Sequence, residues 1–324
     1  MSPRVLVTGG AGFIGSHFVR SVVAGRYPAL AGAEVVVLDL LTYAGTLTNL
    51  TEVADSVRFV RGDIRDPETV ASVTAGADLV VHFAAESHVD RSIAGAADFV
   101  STNVVGTQVL LQAELDAGVS RFVHVSTDEV YGSIETGAWP ETHPLEPNSP
   151  YSASKAASDL LARAFHRTHG LPVCITRCSN NYGPHQFPEK VVPLFVTNLL
   201  DGQPVPLYGD GGNVRDWLHV DDHCRAIALV AEKGRDGEVY NIGGGTELTN
   251  RELTGLLLDA VGADTSMIEH VPDRKGHDRR YAVDWTKIAD ELGYRPAVPF
   301  AQGLADTVRW YAQRRDWWEP LKAS

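Results

Sequence analysis

Short apolar runs alternate with stretches of helical spacing through the first half of the chain. The runs at 5–8, 34–38, 57–61, 79–83, 122–126 and 173–176 predict strands, and the stretches at about 12–24, 67–75, 97–118 and 150–168 predict helices between them. Strands that alternate with helices build parallel βαβ units, so the expected class is α/β with a Rossmann-type doubly wound parallel sheet. Val35-Val36-Val37-Leu38 and Leu79-Val80-Val81 are apolar on both faces, as strands inside a parallel sheet are. The helix from about 150 is punctuated at both ends: Ser149 suits the N-cap, Pro150 the first helical position, and Gly170 follows the last turn.

After Tyr182-Gly183-Pro184 the pattern loosens into shorter elements. Further strands are expected at 216–220 and 238–242. Thr249-Asn250-Arg251-Glu252 forms a capping box that opens a helix to about 261, and a last helix is expected over 300–314. The organisation predicted is a nucleotide-binding domain over 1–177, rejoined by the strands near 216–220 and 238–242. A smaller α/β substrate-binding domain takes most of 178–324.

Composition narrows the function. A chain of 324 residues with 44% hydrophobic content can bury a substantial core. Its formal net charge of −13 argues against nucleic acid and anionic membranes as partners. An anionic substrate would therefore need positive charge gathered locally. No apolar run is long enough to span a membrane and no signal segment is evident at the start, so a cytoplasmic protein is expected. Cys174, Cys178 and Cys224 read as core thiols; no metal site is expected.

Thr8-Gly9-Gly10-Ala11-Gly12-Phe13-Ile14-Gly15 follows the first strand and opens the first helix. Gly9, Gly12 and Gly15 suit a tight turn, close approach of a pyrophosphate and close helix packing, with Phe13 and Ile14 at the helix amino end facing the phosphates. Asp39 ends the second strand, where a carboxylate accepts hydrogen bonds from both ribose hydroxyls and repels a 2′-phosphate. NAD is thus favoured over NADP. Asp63 and Ile64 end the third strand, in reach of an adenine. Phe83-Ala84-Ala85 ends the fourth, where small side chains let a dinucleotide lie against the backbone.

Tyr151 and Lys155 stand at i and i+4 and share a helix face. A nearby ammonium favours the phenolate, so Tyr151 is expected to have a lowered pKa and to act as general base on a sugar hydroxyl. Lys155 can also hold the nicotinamide ribose, and Thr127 can donate to the developing carbonyl. Just before that pair lies Ser126-Thr127-Asp128-Glu129-Val130-Tyr131-Gly132. Neighbours on a regular strand point to opposite faces, so cooperation of Asp128 and Glu129 requires the chain to leave strand geometry after Ser126.

Those two stretches, with Ala84-Ala85-Glu86-Ser87-His88-Val89-Asp90-Arg91-Ser92 and Arg177-Cys178-Ser179-Asn180-Asn181-Tyr182-Gly183-Pro184, carry a resemblance over essentially the whole chain. The sequence resembles the extended short-chain dehydrogenase/reductase family and, within it, the dTDP-glucose 4,6-dehydratases. The Asp128-Glu129 pair is the specific feature, because the related epimerases and decarboxylases lack both acids there. The resemblance implies oxidation at C4 of the sugar by NAD, which acidifies the C5 proton. Glu129 then removes that proton while protonated Asp128 delivers one to the departing C6 hydroxyl. Hydride return to C6 and reprotonation of C5 give a 4-keto-6-deoxy sugar.

The resemblance also implies contacts of Thr102 and Asn181 with the cofactor. It implies contacts of Ser87, Thr127, Asn180, Glu189, Lys190, Arg215, Asn250, Arg274 and His277 with dTDP-glucose, and Pro206, Leu207 and Tyr208 beside the base. The basic run 273–280 reads either as a solvated loop or as a pyrophosphate clamp. A homodimer packed through the helices at 97–118 and 150–168 is implied as well. A UDP-sugar 4-epimerase or UDP-glucuronate decarboxylase on the same scaffold, and a non-catalytic NAD-sensing regulator, are the alternatives.

Overall fold

The computed structural model describes residues 2–322. The chain contributes β1 (Arg4–Thr8), β2 (Glu34–Asp39), β3 (Val57–Arg61), β4 (Leu79–His82), β5 (Arg121–Thr127) and β6 (Val173–Cys178). There follow β7 (Asn180–Tyr182), β8 (Val205–Tyr208), β9 (Val214–His219), β10 (Val239–Ile242), β11 (Glu247–Thr249) and β12 (Ile268–Val271). Seven strands form an all-parallel sheet in the order β10-β6-β5-β4-β1-β2-β3. The chain runs outward from β1 to β3, then restarts on the other side of β1 with β4. That reversal opens a crevice beyond the carboxyl ends of β1 and β4, where doubly wound sheets bind ligands.

Successive strand residues feed opposite layers, as the period of two requires. Val5, Val7, Val35 and Val37 pack with Phe18 and Val22 on one face. Leu6, Val36, Leu38 and Val80 pack with Leu110 and Leu111 on the other. A third core of Trp217, Leu253, Leu257, Tyr311 and Trp318 holds the second half together.

Helix Pro150–His169 has the expected ends. Ser149 and Ser152 bond each other's backbone nitrogens in a reciprocal cap, and Gly170 takes the left-handed conformation at φ 71°. The stretch at 97–118 is helical but not uniform, because a π-helical segment interrupts it over Val100–Gly106. A Cβ on Gly106 would lie 2.6 Å from Ile64 Cδ1, so this wider turn sits tight against the third βα connection.

The strand expected near 216–220 does not rejoin the large sheet. It begins at Val214 and pairs instead with β7 and β11 in a separate three-stranded sheet. The Asp216 carboxylate explains the placement. It accepts from Ser179 Oγ (2.7 Å), Gly244 N (2.8 Å) and Thr246 N (2.8 Å), tying β9 to the segments that follow β6 and β10. The helix expected to be last, Phe300–Gln313, is followed by another at Arg315–Lys322. Its polar sequence hides two buried indoles: Trp317 Nε1 donates to Asn49 Oδ1 at 3.0 Å and Trp318 Nε1 to Tyr311 O at 2.7 Å. Truncating the fully buried Trp318 to alanine is expected to lower unfolding free energy by about 3–5 kcal/mol. The fall would be read from the midpoint and slope of a denaturant titration.

Candidate active site

The turn after β1 is built for close approach. Gly9 adopts φ +69°, and a Cβ there would sit 2.6 Å from the Ala84 nitrogen at the end of β4. A Cβ on Gly15 would lie 2.3 Å from the Gly9 carbonyl, so the first helix packs directly on the turn. Gly12 caps helix Phe13–Val23 with no side-chain bond, leaving the amino-end N–H groups of Phe13 and Ile14 toward a cleft of about 520 Å³. An unblocked helix amino end walled by backbone suits a phosphate.

Asp39, Asp63, Ile64, Phe83, Ala84, Ala85 and Thr102 line the same cleft, Thr102 from within the π-helical segment. Asp39 accepts Ala11 N at 2.9 Å through one oxygen and Leu41 N at 2.8 Å through the other, and each oxygen keeps a lone pair. Burial raises its pKa. Asp63 is committed to Arg65, whose Nε lies 3.0 and 2.9 Å from its two oxygens; that pairing holds its pKa below the usual value. Arg65 lines the cleft too. Sequence reasoning passed it over, although an arginine two residues beyond a strand-end acid is a readable signal.

At the far end of the cleft Tyr151 and Lys155 project from helix Pro150–His169 and are buried. Lys155 Nζ donates to Val125 O at 2.8 Å, and burial brings its pKa down to about 8. The expected lowering of the Tyr151 pKa is corrected. Burial, then the Glu129 carboxylate and Cys178, push it well above its ordinary value, and only the Thr127 hydrogen bond works the other way. Lys155 is spent on β5, so desolvation and like charge decide the sign.

The chain leaves strand geometry after Thr127, one residue later than expected, in a 3₁₀ turn over Asp128–Tyr131. Thr127 Oγ1 caps it, accepting from Glu129 N at 3.2 Å and donating to Asp128 Oδ1 at 3.3 Å. The turn brings both adjacent carboxyls to the one cleft. Their surroundings differ. Asp128 is 2% exposed with Oδ2 unpartnered among the described residues, and burial, then Glu129 and Asp216, raise its pKa well above the usual carboxylate range against the pull of Arg215. Burial raises Glu129 too, but Lys190, Arg215 and Arg274 oppose the rise. An acid whose ionisation is strongly opposed and one whose ionisation three cations assist therefore stand side by side, the separation that acid–base division of labour requires.

Ser87, Asn180, Asn181, Glu189 and Lys190 complete the cleft wall. Lys190 Nζ donates to Ser87 O at 2.7 Å, and Asn180 Oδ1 is buried and unpartnered among the described residues. The Asn181 amide is taken up by Ser179 O at 2.9 Å and His223 Nδ1 at 2.9 Å. The expected nucleotide-end residues lie outside this cleft. Tyr208 has the Arg274 guanidinium 5.4 Å from its ring centre and His277 edge-on at 6.1 Å, forming one cluster. Arg215 is buried over the Tyr281 ring at 4.1 Å. Asn250 begins its helix, its N–H donating to Asn213 O at 2.9 Å. Strand alternation turns the Leu207 side chain into the core, leaving only its backbone for a ligand, while Pro206 and Tyr208 share the other face. The basic run divides likewise. Arg279 and Arg280 pair outward with Asp210 and Glu247, and Arg274 pairs with Asp90 at 2.6 Å. Asp216, which acts on Asp128, had no signal in the sequence.

A carboxyl whose pKa rises on folding binds more protons folded than unfolded, so it lowers stability as pH climbs past its ordinary value. Asp128→Asn removes that penalty. The variant is expected to be more stable by about 1–3 kcal/mol near neutral pH, and the gain is expected to vanish below about pH 4. Denaturant titrations across this range check it; a pH-independent gain would contradict a protonated Asp128.

Residues 6–307 match the family model described as GDP-mannose 4,6 dehydratase. A dTDP-glucose 4,6-dehydratase of Streptomyces antibioticus is 66% identical over 323 residues, covering 98% of this chain and 95% of that protein. The crystal structure of DesIV, a dTDP-glucose 4,6-dehydratase from Streptomyces venezuelae with NAD and TYD bound, superposes with a TM-score of 0.97 at 68% identity, covering 98% of this chain and 99% of the other. A UDP-glucose 4-epimerase from Thermotoga maritima, with UDP-glucose, gives a TM-score of 0.89 at 36% identity over 96% of this chain and 99% of its own. These likenesses bear out the resemblance read from the paired acids and the Tyr-Lys helix: the chain belongs to the GDP-mannose 4,6 dehydratase family.

Proposed function

We propose that the chain is a dTDP-glucose 4,6-dehydratase, an NAD-dependent hydro-lyase that converts its substrate to dTDP-4-keto-6-deoxyglucose. The observation that carries this reading is the pair Asp128 and Glu129, held on one turn in unlike environments beside Tyr151. The likeness to dTDP-glucose 4,6-dehydratases at 66% and 68% identity supports it. When bound, NAD supplies the acceptor for hydride from C4 and its later donor to C6. Gly9, Gly12, Gly15 and Asp39 would hold it along the first half of the cleft.

The protein's own groups divide the proton work. Tyr151 takes the proton of the C4 hydroxyl as its phenolate, a form that burial and Glu129 disfavour and that the cationic ring of bound NAD would favour, and Thr127 donates to the oxygen as it becomes a carbonyl. The resulting ketone acidifies C5, Glu129 removes that proton, and Asp128 hands its own to the leaving C6 oxygen. An epimerase needs neither acid, which favours the dehydratase over the shared scaffold's other chemistry. Tyr208, Arg274 and His277 would meet the nucleotide. The thymine methyl needs only an apolar gap, worth about 1 kcal/mol. Three unpaired, buried cysteines suit a reducing cytoplasm.

Glu129→Gln and Asp128→Asn are expected to retain C4 oxidation and lose elimination by about 10²-fold or more. Enzyme-bound NADH absorbance should then build up on mixing with dTDP-glucose, with no 4-keto-6-deoxy product. Normal dehydration in both variants would reject the roles.

The same reading includes a homodimer. Val100 (49%), Val105 (48%) and Leu160 (53%) are large apolar side chains left exposed on the helical segments at 97–117 and 150–169. Leu160→Arg is expected to convert the dimer to monomer, read by light scattering at micromolar concentration. An unchanged mass for both proteins would place the contact elsewhere.

A further inference from the structure

The turn that carries Asp128 and Glu129 is anchored at its far end by a buried polar chain that the proton transfers above leave unused. Tyr131 closes the turn and is fully buried. Its hydroxyl donates to Asn241 Oδ1 on β10 at 2.9 Å and accepts from Arg177 Nη1 on β6 at 2.7 Å. The guanidinium also stands 4.8 Å from the Tyr131 ring centre. Arg177 Nε in turn donates to Asp159 Oδ2 at 2.8 Å, and Asp159 Oδ1 lies 3.2 Å from His124 Nε2 on β5. Asp159 belongs to helix Pro150–His169, one turn beyond Lys155. The Asn241 amide is itself fixed, donating to Trp139 O at 2.9 Å and Asp284 O at 3.2 Å.

One connected path thus runs from the acid turn through β6 to the helix that presents Tyr151. Stability alone does not account for it. A buried ion pair is costly to desolvate, and apolar side chains of similar volume serve a core as well or better. What the path supplies is register. Asp128 and Glu129 approach the cleft from one element and Tyr151 from another, and a misplacement of about 1 Å costs on the order of 10²-fold in rate. At the other end of the turn Thr127 offers only bonds of 3.2 and 3.3 Å.

We propose that Tyr131, bridged by Arg177 to Asp159, is a positioning residue for the elimination half of the reaction, holding the acid pair in register with Tyr151. The inference rests on the dehydratase reading. It separates two steps that a general loss of structure would affect together. C4 oxidation uses Tyr151 and Thr127, which lie outside the bridge, whereas removal of the C5 proton and protonation of the leaving oxygen need the turn in place.

Tyr131→Phe deletes the bridging hydroxyl and keeps the ring and the Arg177–Asp159 pair. Asp159→Asn leaves the hydroxyl and weakens the anchor. Both are mixed with dTDP-glucose in single-turnover experiments beside the unsubstituted enzyme, and rates are counted per folded, dinucleotide-loaded protein. The expected result is C4 oxidation within about 3-fold and elimination slowed by about 10–100-fold. Bound NADH would then accumulate transiently in both variants and not in the parent. Oxidation and elimination falling in proportion, or no change in either, would overturn the positioning role while the parent enzyme still makes product. Failure of the parent to make product would overturn the dehydratase reading itself, and this inference with it.

Discussion

An ionised carboxyl group moved out of water loses several kcal/mol of hydration unless a cation or several donors replace it. Two such groups side by side add their mutual repulsion, so the second to ionise is the more strongly disfavoured. Every feature of the cleft around Asp128 and Glu129 bears on how that conflict is resolved. Asp128 receives one weak donor, Thr127 at 3.3 Å, and the buried Asp216 carboxylate lies on its side of the balance. Lys190, Arg215 and Arg274 act on Glu129. Arg215 eases the ionisation of both, so the difference between them follows from Lys190 and Arg274 acting on Glu129 and Asp216 acting against Asp128, while burial pushes both in the same direction.

The sheet makes this possible because it ends where it does. Strand β5 stays in register with β6 as far as the Thr127–Cys178 pair, and only then tightens into the 3₁₀ turn. One residue more of strand would send Asp128 and Glu129 to opposite faces. Gly132, at φ +81°, leaves the turn where a Cβ would meet the Glu146 carbonyl at 2.4 Å, so the exit is as constrained as the entry. The same crossover that opens the crevice also sets Ala84 against Gly9, and so aligns the glycine turn with the Tyr151 end of one continuous cleft.

What the sequence disclosed, and what it withheld, follows the range of the interactions involved. Helix Pro150–His169 was legible to within a residue because its cap, its first-turn proline and its terminal glycine are all local. The glycine turn after β1 and the strand-end position of Asp39 were legible for the same reason, while Asp63 stands two residues beyond the end of β3. The π-helical segment was not legible; it packs Gly106 closely against Ile64 from another βα unit, a contact that local spacing does not reveal. The terminal helix Arg315–Lys322 looks polar because only Trp317 and Trp318 carry its burial. Adjacency of the two acids could be seen in the chain. Their unequal environments could not, because Asp216, Lys190, Arg215 and Arg274 all arrive from beyond residue 189. The wrong sign for Tyr151 has the same origin: helical spacing places Lys155 on its face, but a carbonyl of β5 claims the ammonium.

The acidic character of the chain sharpens this local control. A net charge of −13 is spread over the whole surface, and at physiological salt its effect on a distant ion fades over about 8 Å. Charges at the cleft act across a shorter, poorly screened path. Lys190 is inside it, kept close by Ser87 O, and burial depresses its own pKa while Glu189 and Glu129 raise it. Arg274 reaches the same region from the opposite half of the molecule and is steadied there by Asp90. Cations that oppose the overall charge are thus concentrated where Glu129 must ionise, and each is restrained by an acidic or carbonyl partner of its own. The division between Asp128 and Glu129 is therefore a property of both halves of the chain together: the first half supplies the two acids on one turn, and the second supplies most of the charges that make them different.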